Sequence, residues 1–244
     1  MERKVFFGVS LILMGAFCAF AQSARSYETI VIDNFDDAEA VEWTWKAQAS
    51  RYVAEGDPRC QTFDGSPNAL RVEREEGAAE PKVLGVTAAF DKKGDNWFEI
   101  YPAKAGENGD EPFEIPLKGH VSELDVWVWG SGYRYSIAML IRDANGSVHE
   151  MPLGRLSHIG WKNMLVKIPT TMVQRSYLRT GGKNLKFVGF RVKTDANAPV
   201  DGAVVYFDNL KYLTDILVNT FDGYELDGIE FGESDSGSAG EAQQ

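Results

Sequence analysis

Residues 121–146, VSELDVWVWGSGYRYSIAMLIRDANG, carry the strongest structural signal in the chain. Apolar and polar side chains alternate from Val121 to Trp129, and Tyr133 to Arg142 forms a second strand-like stretch. Period-two alternation of this kind indicates β-strands. Asn145 and Gly146 follow at once, and Asn-Gly between strand-like stretches is the strongest short-range signal for a hairpin. The stretch therefore predicts consecutive strands joined by tight turns.

Similar stretches, separated by turn residues, recur on both sides of this one. In chain order they are 28–35, 69–74, 82–90, 161–168, 185–193 and 204–213. Residues 94–116 are rich in glycine and proline and are expected to form a loop. Residues 37–46 have poor helical spacing but could hold one short helical turn, and 170–179 is the other helix candidate. Many short strands between turn signals predict an all-β fold, an antiparallel β-sandwich or jelly roll.

The alternation also predicts which side chains form the core, because successive side chains of a strand point to opposite faces. In 204–211, Val205 and Phe207 are expected on the face opposite to Asp208 and Leu210. The side chains expected to be buried are Leu124, Val126, Val128, Val188, Phe190, Val192, Val205 and Phe207.

The first 21 residues have the pattern of an export signal. Arg3 and Lys4 precede an apolar run that ends in Ala19-Phe20-Ala21, a site of the A-x-A type. We expect cleavage before Gln22 and a periplasmic location. The expected organisation is a signal peptide at 1–21, a β-sandwich domain at 22–218 and an acidic, disordered tail at 219–244.

Charge and cysteine content narrow the class of protein. The full chain has 25 basic and 36 acidic residues, a net charge of −11, and the chain without residues 1–21 has 23 and 35, a net charge of −12. An acidic chain of this kind argues against nucleic acid or an anionic membrane as partner. Cys60 is the one cysteine left after cleavage, so no internal disulfide is expected. Its thiol is expected to be either a buried small hydrophobic group or free.

No catalytic spacing stands out. His120, His149 and His158 are not arranged as in HExxH, and the sequence contains no GxSxG, P-loop or GxGxxG motif. We therefore expect a protein that is not an enzyme.

Acidic residues near both ends of the predicted domain suggest a structural cation. Asp33 lies in IVIDNFDD and Asp208 in YFDNLK. First and last strands of a sandwich often lie side by side, and carboxylate oxygens are the ligands that calcium prefers. Asp33 and Asp208 are thus candidate ligands of a structural calcium. Asp and Asn also stabilise turns, and that interpretation stays open. No other cofactor is expected.

Tryptophans supply the candidate contact residues. Trp127 and Trp129 share the more polar face of their strand, where aromatic rings can stack on sugars, anchor a protein interface or lie under another part of the fold. Trp43 and Trp45 fall in a predicted N-terminal loop and Trp97 falls in the predicted loop at 94–116. We rank these three loop residues above the strand pair as interface candidates.

Several blocks in a fixed order resemble a known family. IVIDNFDDAEAVEWTWKA at 30–47, GRLSHIGWKNMLVKIP at 154–169, NLKFVGFRVKTD at 184–195 and VVYFDNLKYLTD at 204–215 are similar to the flagellar filament outer layer (sheath) proteins of spirochaetes, the FlaA-like proteins. The resemblance covers most of residues 28–215, and the chain is similar to a smaller paralogue. The D-x-F start and the YFDNLK end are also similar to galactose-binding-like jelly rolls and carbohydrate-binding modules.

The resemblance implies a structural role. Such proteins lie in the periplasm and coat a core of flagellins, so the implied partners are core flagellins and other sheath subunits, and the implied effect is on filament shape and stiffness. The chain lacks the long terminal heptad helices that core flagellins need. The alternative is an exported carbohydrate-binding jelly-roll module.

Overall fold

The computed structural model describes residues 26–71, 80–107, 109–175 and 184–216. The predicted signal peptide and the predicted tail at 219–244 lie outside these residues, so the domain boundaries stay predictions. In the described part of the chain, no helix is long and apolar enough to cross a membrane. Almost all regular structure is strand in two antiparallel sheets, which confirms the predicted all-β sandwich.

In chain order, the elements are β1 (Tyr27–Asp33), β2 (Thr44–Ala49), β3 (Arg59–Asp64), α1 (Asn68–Arg71), β4 (Lys82–Ala88), β5 (Trp97–Gly106), β6 (Gly109–Pro112), β7 (Ile115–Pro116), β8 (His120–Ser131), β9 (Tyr135–Arg142), β10 (Val148–Arg155), β11 (Ile159–Lys167), β12 (Lys186–Thr194) and β13 (Ala203–Asp215). The first sheet has the order β11-β8-β13-β4-β3, and β1 also pairs with β13. The second has the order β10-β9-β12-β5-β2, with β6 on β5 and β7 on β12.

The predicted hairpin signal at Asn145-Gly146 joins β9 to β10. Arg142 pairs with Val148 across the turn, and Gly146 has a φ of 93°. The Asp143 carboxylate accepts the backbone N–H groups of Asn145 and Ser147, both at 2.9 Å. The turn residues therefore satisfy the backbone groups that the ladder leaves free.

The core lies between the two sheets. Phe190 of the second sheet and Phe207 of the first sheet stack with ring centroids 4.6 Å apart, and both are fully buried. Seven of the eight predicted core residues are buried, namely Leu124, Val126, Val128, Phe190, Val192, Val205 and Phe207. The alternation in β8, in β13 and in the second half of β12 identified these positions because one face of each strand packs against the opposite sheet.

Two departures from strict alternation explain where the core prediction is wrong. Val188 is only half-buried because β12 bulges between Phe187 and Gly189, so that Phe187 and Phe190 both point inward. In β13 the register shifts after Asp208, and Leu210 is buried instead of facing outward. A bulge adds one residue to one strand and reverses the faces beyond it.

Several predicted elements are also wrong. Residues 69–74 were expected to form a strand, yet 69–71 belong to α1 at Asn68–Arg71, and 72–74 lie outside the described residues. The predicted loop at 94–116 contains β5, β6 and β7. In 37–46, where one short helical turn was possible, the chain forms a turn and then enters β2. No helix forms from 170 to 175, and the rest of that candidate lies outside the described residues. β3 and β10 were missing from the predicted strands.

The β5 region shows why local composition misled the prediction. Glycine and proline mark loops when a segment is considered alone. In the fold, β5 pairs with β12 along one edge and with β2 along the other. Pairing with strands distant in sequence decides strand formation more than local propensity does.

Candidate interaction surface

The outward face of the first sheet is rich in exposed apolar side chains. Nine large apolar side chains are exposed on the described surface, and five of them lie on this face: Tyr27, Val31, Phe63, Ile159 and Leu165. Exposed apolar side chains that gather on one face mark contact sites, whereas single exposed apolar residues do not.

Four aromatic side chains cross this face from one edge strand to the other, and we call them the aromatic row. Trp161, Trp129 and Tyr206 are direct cross-strand partners on β11, β8 and β13. The ring centroids of Trp129 and Tyr206 are 5.3 Å apart with planes at 73°, and those of Tyr206 and Phe63 are 5.6 Å apart at 87°. Trp127 lies beside the row on β8, which confirms that Trp127 and Trp129 share the outward face.

A glycine allows the row to reach the edge strand. Gly85 of β4 lies between Tyr206 of β13 and Gln61 of β3 in the sheet. A Cβ atom at this position would be 2.5 Å from the Phe63 ring and 2.9 Å from the Tyr206 ring. The two rings therefore lean over bare backbone, a close approach that only glycine permits.

A groove lies beside these rings at the β3 side of the face. It has a volume of about 210 Å³, and its lining includes Arg59, Gln61, Phe63, Thr87, Val204 and Tyr206. The lining combines aromatic and aliphatic carbon with a few polar groups. Such a groove can receive an apolar side chain from another molecule.

The outward face of the second sheet has a different chemistry. Arg191 Nε donates a hydrogen bond to Glu99 at 2.6 Å, and Glu150 pairs with Lys193 at 2.6 Å and with Arg191 at 3.1 Å. Burial acts to raise the pKa of Glu150, but hydrogen bonds from Lys193 and Arg191 hold that pKa below its ordinary value. Covering these ion pairs with a partner would cost desolvation free energy.

Trp45 belongs to a strand, not to the predicted loop. It lies in β2 and packs inward, with ring centroids 5.5 Å from Phe35 and 6.2 Å from both Phe187 and Phe190. Trp45 thus closes one end of the core.

The other two tryptophans of the predicted loops also lie away from the aromatic row. Trp43 directly precedes β2 and stacks on Phe113 at 5.9 Å. Trp97 is the first residue of β5, not part of a loop, with the Arg191 guanidinium 5.8 Å from its ring. The structure brings Trp127 and Trp129 together and places Trp43, Trp45 and Trp97 elsewhere. This geometry favours Trp127 and Trp129 as interface residues, which reverses the ranking made from the sequence. The interface role of all five tryptophans stays a prediction.

Asp33 fixes the turn after β1. Its carboxylate accepts the backbone N–H of Phe35 at 2.7 Å and the indole N–H of Trp45 at 2.8 Å. Phe35 has a φ of 61°, a conformation that such a local hydrogen bond stabilises. Burial raises the pKa of Asp33, and the hydrogen bonds from Trp45 and Phe35 oppose that shift only in part.

The strands that carry Asp33 and Asp208 lie side by side, as the sequence predicted for the first and last strands. Asp33 pairs with Leu210, two residues beyond Asp208. Asp208 is buried and accepts a hydrogen bond from the Ser66 hydroxyl at 3.1 Å. Among the described residues, no three His, Cys, Asp or Glu side chains are grouped so that they could hold a metal ion. The calcium site at Asp33 and Asp208 stays a prediction.

Thermal denaturation tests the calcium prediction. If Asp33 and Asp208 take part in a calcium site, millimolar calcium raises the melting temperature and a chelator reverses the rise, because the ion binds only the folded chain. Magnesium is the matched control, since it demands a smaller, octahedral site. Equal melting temperatures in calcium and in chelator would leave both carboxylates with a role in turn formation alone.

Cys60 and the histidines have structural surroundings. Cys60 packs against the core from β3, and burial raises the pKa of its thiol to about 12, so the thiol stays protonated at neutral pH. His149 contacts the Asp143 carboxylate at 2.7 Å within the hairpin. The packing of Cys60 and the raised pKa of its thiol agree with the interpretation of Cys60 as a small hydrophobic residue.

Three members of the aromatic row were not among the predicted contact residues. Phe63 was missed because β3 was not predicted, and its neighbour in space, Tyr206, is 143 residues away in the chain. The sequence could have placed Trp161 on an outward face, since Trp161 and Leu165 alternate with Met164 and Val166 in a predicted strand. The sequence could not show that this strand pairs with β8 and sets Trp161 beside Trp129.

Comparisons with known proteins agree on one family. The family model described as flagellar filament outer layer protein Flaa matches residues 56–222. A flagellar filament outer layer-like protein of Brachyspira hyodysenteriae is 28% identical over 203 residues, which cover 82% of this chain and 87% of that protein.

Solved structures give weaker likenesses. TmCBM61, determined in complex with β-1,4-galactotriose, has a TM-score of 0.39 and 15% identity and covers 72% of this chain and 92% of its own. The family 11 carbohydrate-binding module of the cellulase Lic26A-Cel5E of Clostridium thermocellum has a TM-score of 0.38 and 10% identity. The match covers 76% of this chain and 94% of that module. At these scores the likenesses carry no argument about ligand or function.

Proposed function

Because the chain belongs to the flagellar filament outer layer protein family, as the resemblance in its sequence suggested, we propose that it is a structural subunit of the outer layer of a periplasmic flagellar filament. In this role it coats a core of flagellins, contacts other outer-layer subunits and modulates the shape and stiffness of the filament. It reaches the periplasm by the signal peptide expected at 1–21, and it acts by binding instead of catalysis.

The aromatic row is the observation that supports this proposal most directly. A coat subunit needs a broad face that stays bound to protein, and large aromatic side chains dominate the energetics of such faces. Here the row spans the first sheet from Trp161 on β11 to Phe63 on β3. The ion-paired face of the second sheet suits contact with water. We therefore assign the outward face of the first sheet to the filament and the opposite face to the periplasm.

Ring geometry favours a protein partner over the alternative of a glycan. In an edge-to-face pair one ring stands edge-on to its neighbour, so the pair offers less flat aromatic surface than two rings in one plane. In the aromatic row the planes of neighbouring rings stand at 73° and 87°. Such a ridged surface is suited to interdigitation with the side chains of another protein.

Isolated filaments provide the test. We expect the protein to sediment with purified periplasmic flagella, and a deletion strain to yield flagellin cores that are thinner than wild-type filaments or changed in stiffness and curvature. The strain complemented with the wild-type gene is the control. Filaments of unchanged diameter and shape in the deletion strain, together with specific retention of a glycan by the purified protein, would replace this proposal by the carbohydrate-binding alternative.

A further inference from the structure

The two edges of the first sheet differ in charge. The edge strand β11 contains two basic residues and no Asp or Glu, although the whole chain has a net charge of −11. Lys162 and Lys167 are exposed on β11. We call this side of the sheet the β11 edge. Within the described residues, β11 pairs only with β8, so its other side is open.

The opposite edge is acidic, and we call it the β3 edge. Residues 55–64 contain three acidic residues and one basic residue, and among the described residues β3 pairs only with β4. The turn after β1 adds Asp36, whose carboxylate accepts the backbone N–H of Lys82 at 2.9 Å beside the end of β3. Lys82 itself adds one positive charge, which Asp36 and Asp37 outweigh.

The edges also match in shape. Ile159 begins β11 and is 83% exposed, the most exposed large apolar side chain of the described residues. The groove of about 210 Å³ lies at the β3 side of the same face, where Phe63, Val204 and Tyr206 supply apolar walls. A protruding apolar side chain and an apolar groove therefore lie at opposite edges of one sheet.

We propose that the β11 edge of one copy of this chain binds the β3 edge of the next copy, with Ile159 inserted into the groove beside Phe63 and Tyr206. The contact is head-to-tail, because the surface that donates Ile159 differs from the surface that receives it. Contacts of this kind do not close on themselves and build open helical assemblies. The opposite charges of the two edges set the direction of the contact.

This inference rests on the proposed function and adds the lateral contact between outer-layer subunits. Trp127, Trp129 and Trp161 then face the filament, whereas Phe63 and Tyr206 beside the groove contact the neighbouring copy. A weak contact is sufficient, because subunits held on a common core meet at high effective concentration.

Sedimentation of the purified mature chain tests the contact in solution. We expect the average mass to keep rising with protein concentration beyond that of a dimer, and to fall when salt screens the edge charges. Ile159→Asp should abolish this rise. Val148→Asp is the matched control, since Val148 is also exposed in an edge strand but lies in the second sheet, and it should associate as the wild type does. A wild-type chain that stays monomeric at millimolar concentration would overturn the inference.

Mixing two variants distinguishes head-to-tail from symmetric contact. Gln61→Trp fills the groove from an exposed position and leaves Ile159 intact, whereas Ile159→Asp leaves the groove intact. Each variant alone should be monomeric, and an equal mixture should form dimers and nothing larger. Circular dichroism matching the wild type shows that both are folded. A mixture that stays monomeric, or a wild-type chain that stops at a dimer, would contradict the head-to-tail arrangement.

A photo-crosslinker in place of Ile159 tests the contact on filaments. We expect adducts with peptides from 59–64 or 83–87 of a second copy. Adducts with flagellin alone would overturn this inference and leave the proposed function standing, whereas absence of the protein from the filament pellet would refute the proposed function itself.

Discussion

Val126→Asp should remove most of the stability of the domain. Val126 is fully buried at the centre of β8 and faces the second sheet. A carboxylate there has no partner, and an unpaired buried charge typically costs more than about 4 kcal/mol, out of roughly 5–15 kcal/mol for a whole domain. We expect a melting temperature lower by roughly 10 °C or more, or a chain that does not fold.

Asn163→Asp is the matched control for this experiment. Asn163 is exposed on β11, next to the strand that holds Val126, and the change adds the same carboxylate. It should alter the free energy of unfolding by no more than about 0.5 kcal/mol. Equal melting temperatures for the two variants would show that the face of β8 assigned to the core is not packed against the second sheet.

Trp129→Ala should give the largest loss of filament binding. Trp129 lies at the centre of the aromatic row between Trp161 and Tyr206, and a central aromatic anchor typically contributes about 2–4 kcal/mol to a protein interface. That range corresponds to a roughly 30- to 1000-fold weaker association. The measurement is the amount of variant that sediments with filaments from the deletion strain over a range of protein concentrations.

Trp97→Ala controls for the loss of a tryptophan from a strand. Trp97 is half-buried like Trp129, but it lies on the ion-paired outward face of the second sheet. Its variant should sediment with filaments as the wild type does. Strong loss of binding by Trp97→Ala and none by Trp129→Ala would assign the second sheet to the filament and reverse the orientation proposed above. Thermal melts of both variants ensure that binding is compared between folded proteins.

A place in a predicted loop was a poor guide to which tryptophans lie on the outward face of the first sheet. Trp45 looked like a loop residue because DAEAVEW has no strand pattern, yet it packs against Phe187 and Phe190. Those two rings are more than 140 residues away in the chain. Trp129 lay in an evident strand, but its neighbours Trp161 and Tyr206 come from two other strands.

The sequence by itself determined the class of fold, the Asn145-Gly146 hairpin and most of the core. These features depend on side-chain alternation and turn chemistry, which act between residues close in the chain. The tertiary structure alone decided the bulges that turn Val188 outward and Leu210 inward, and the strands β3 and β5 that local composition hid. It also assembled the aromatic row and set the basic and acidic edges at opposite sides of one sheet. Strand order and register follow from the packing of distant segments against each other, and local sequence does not encode them separately.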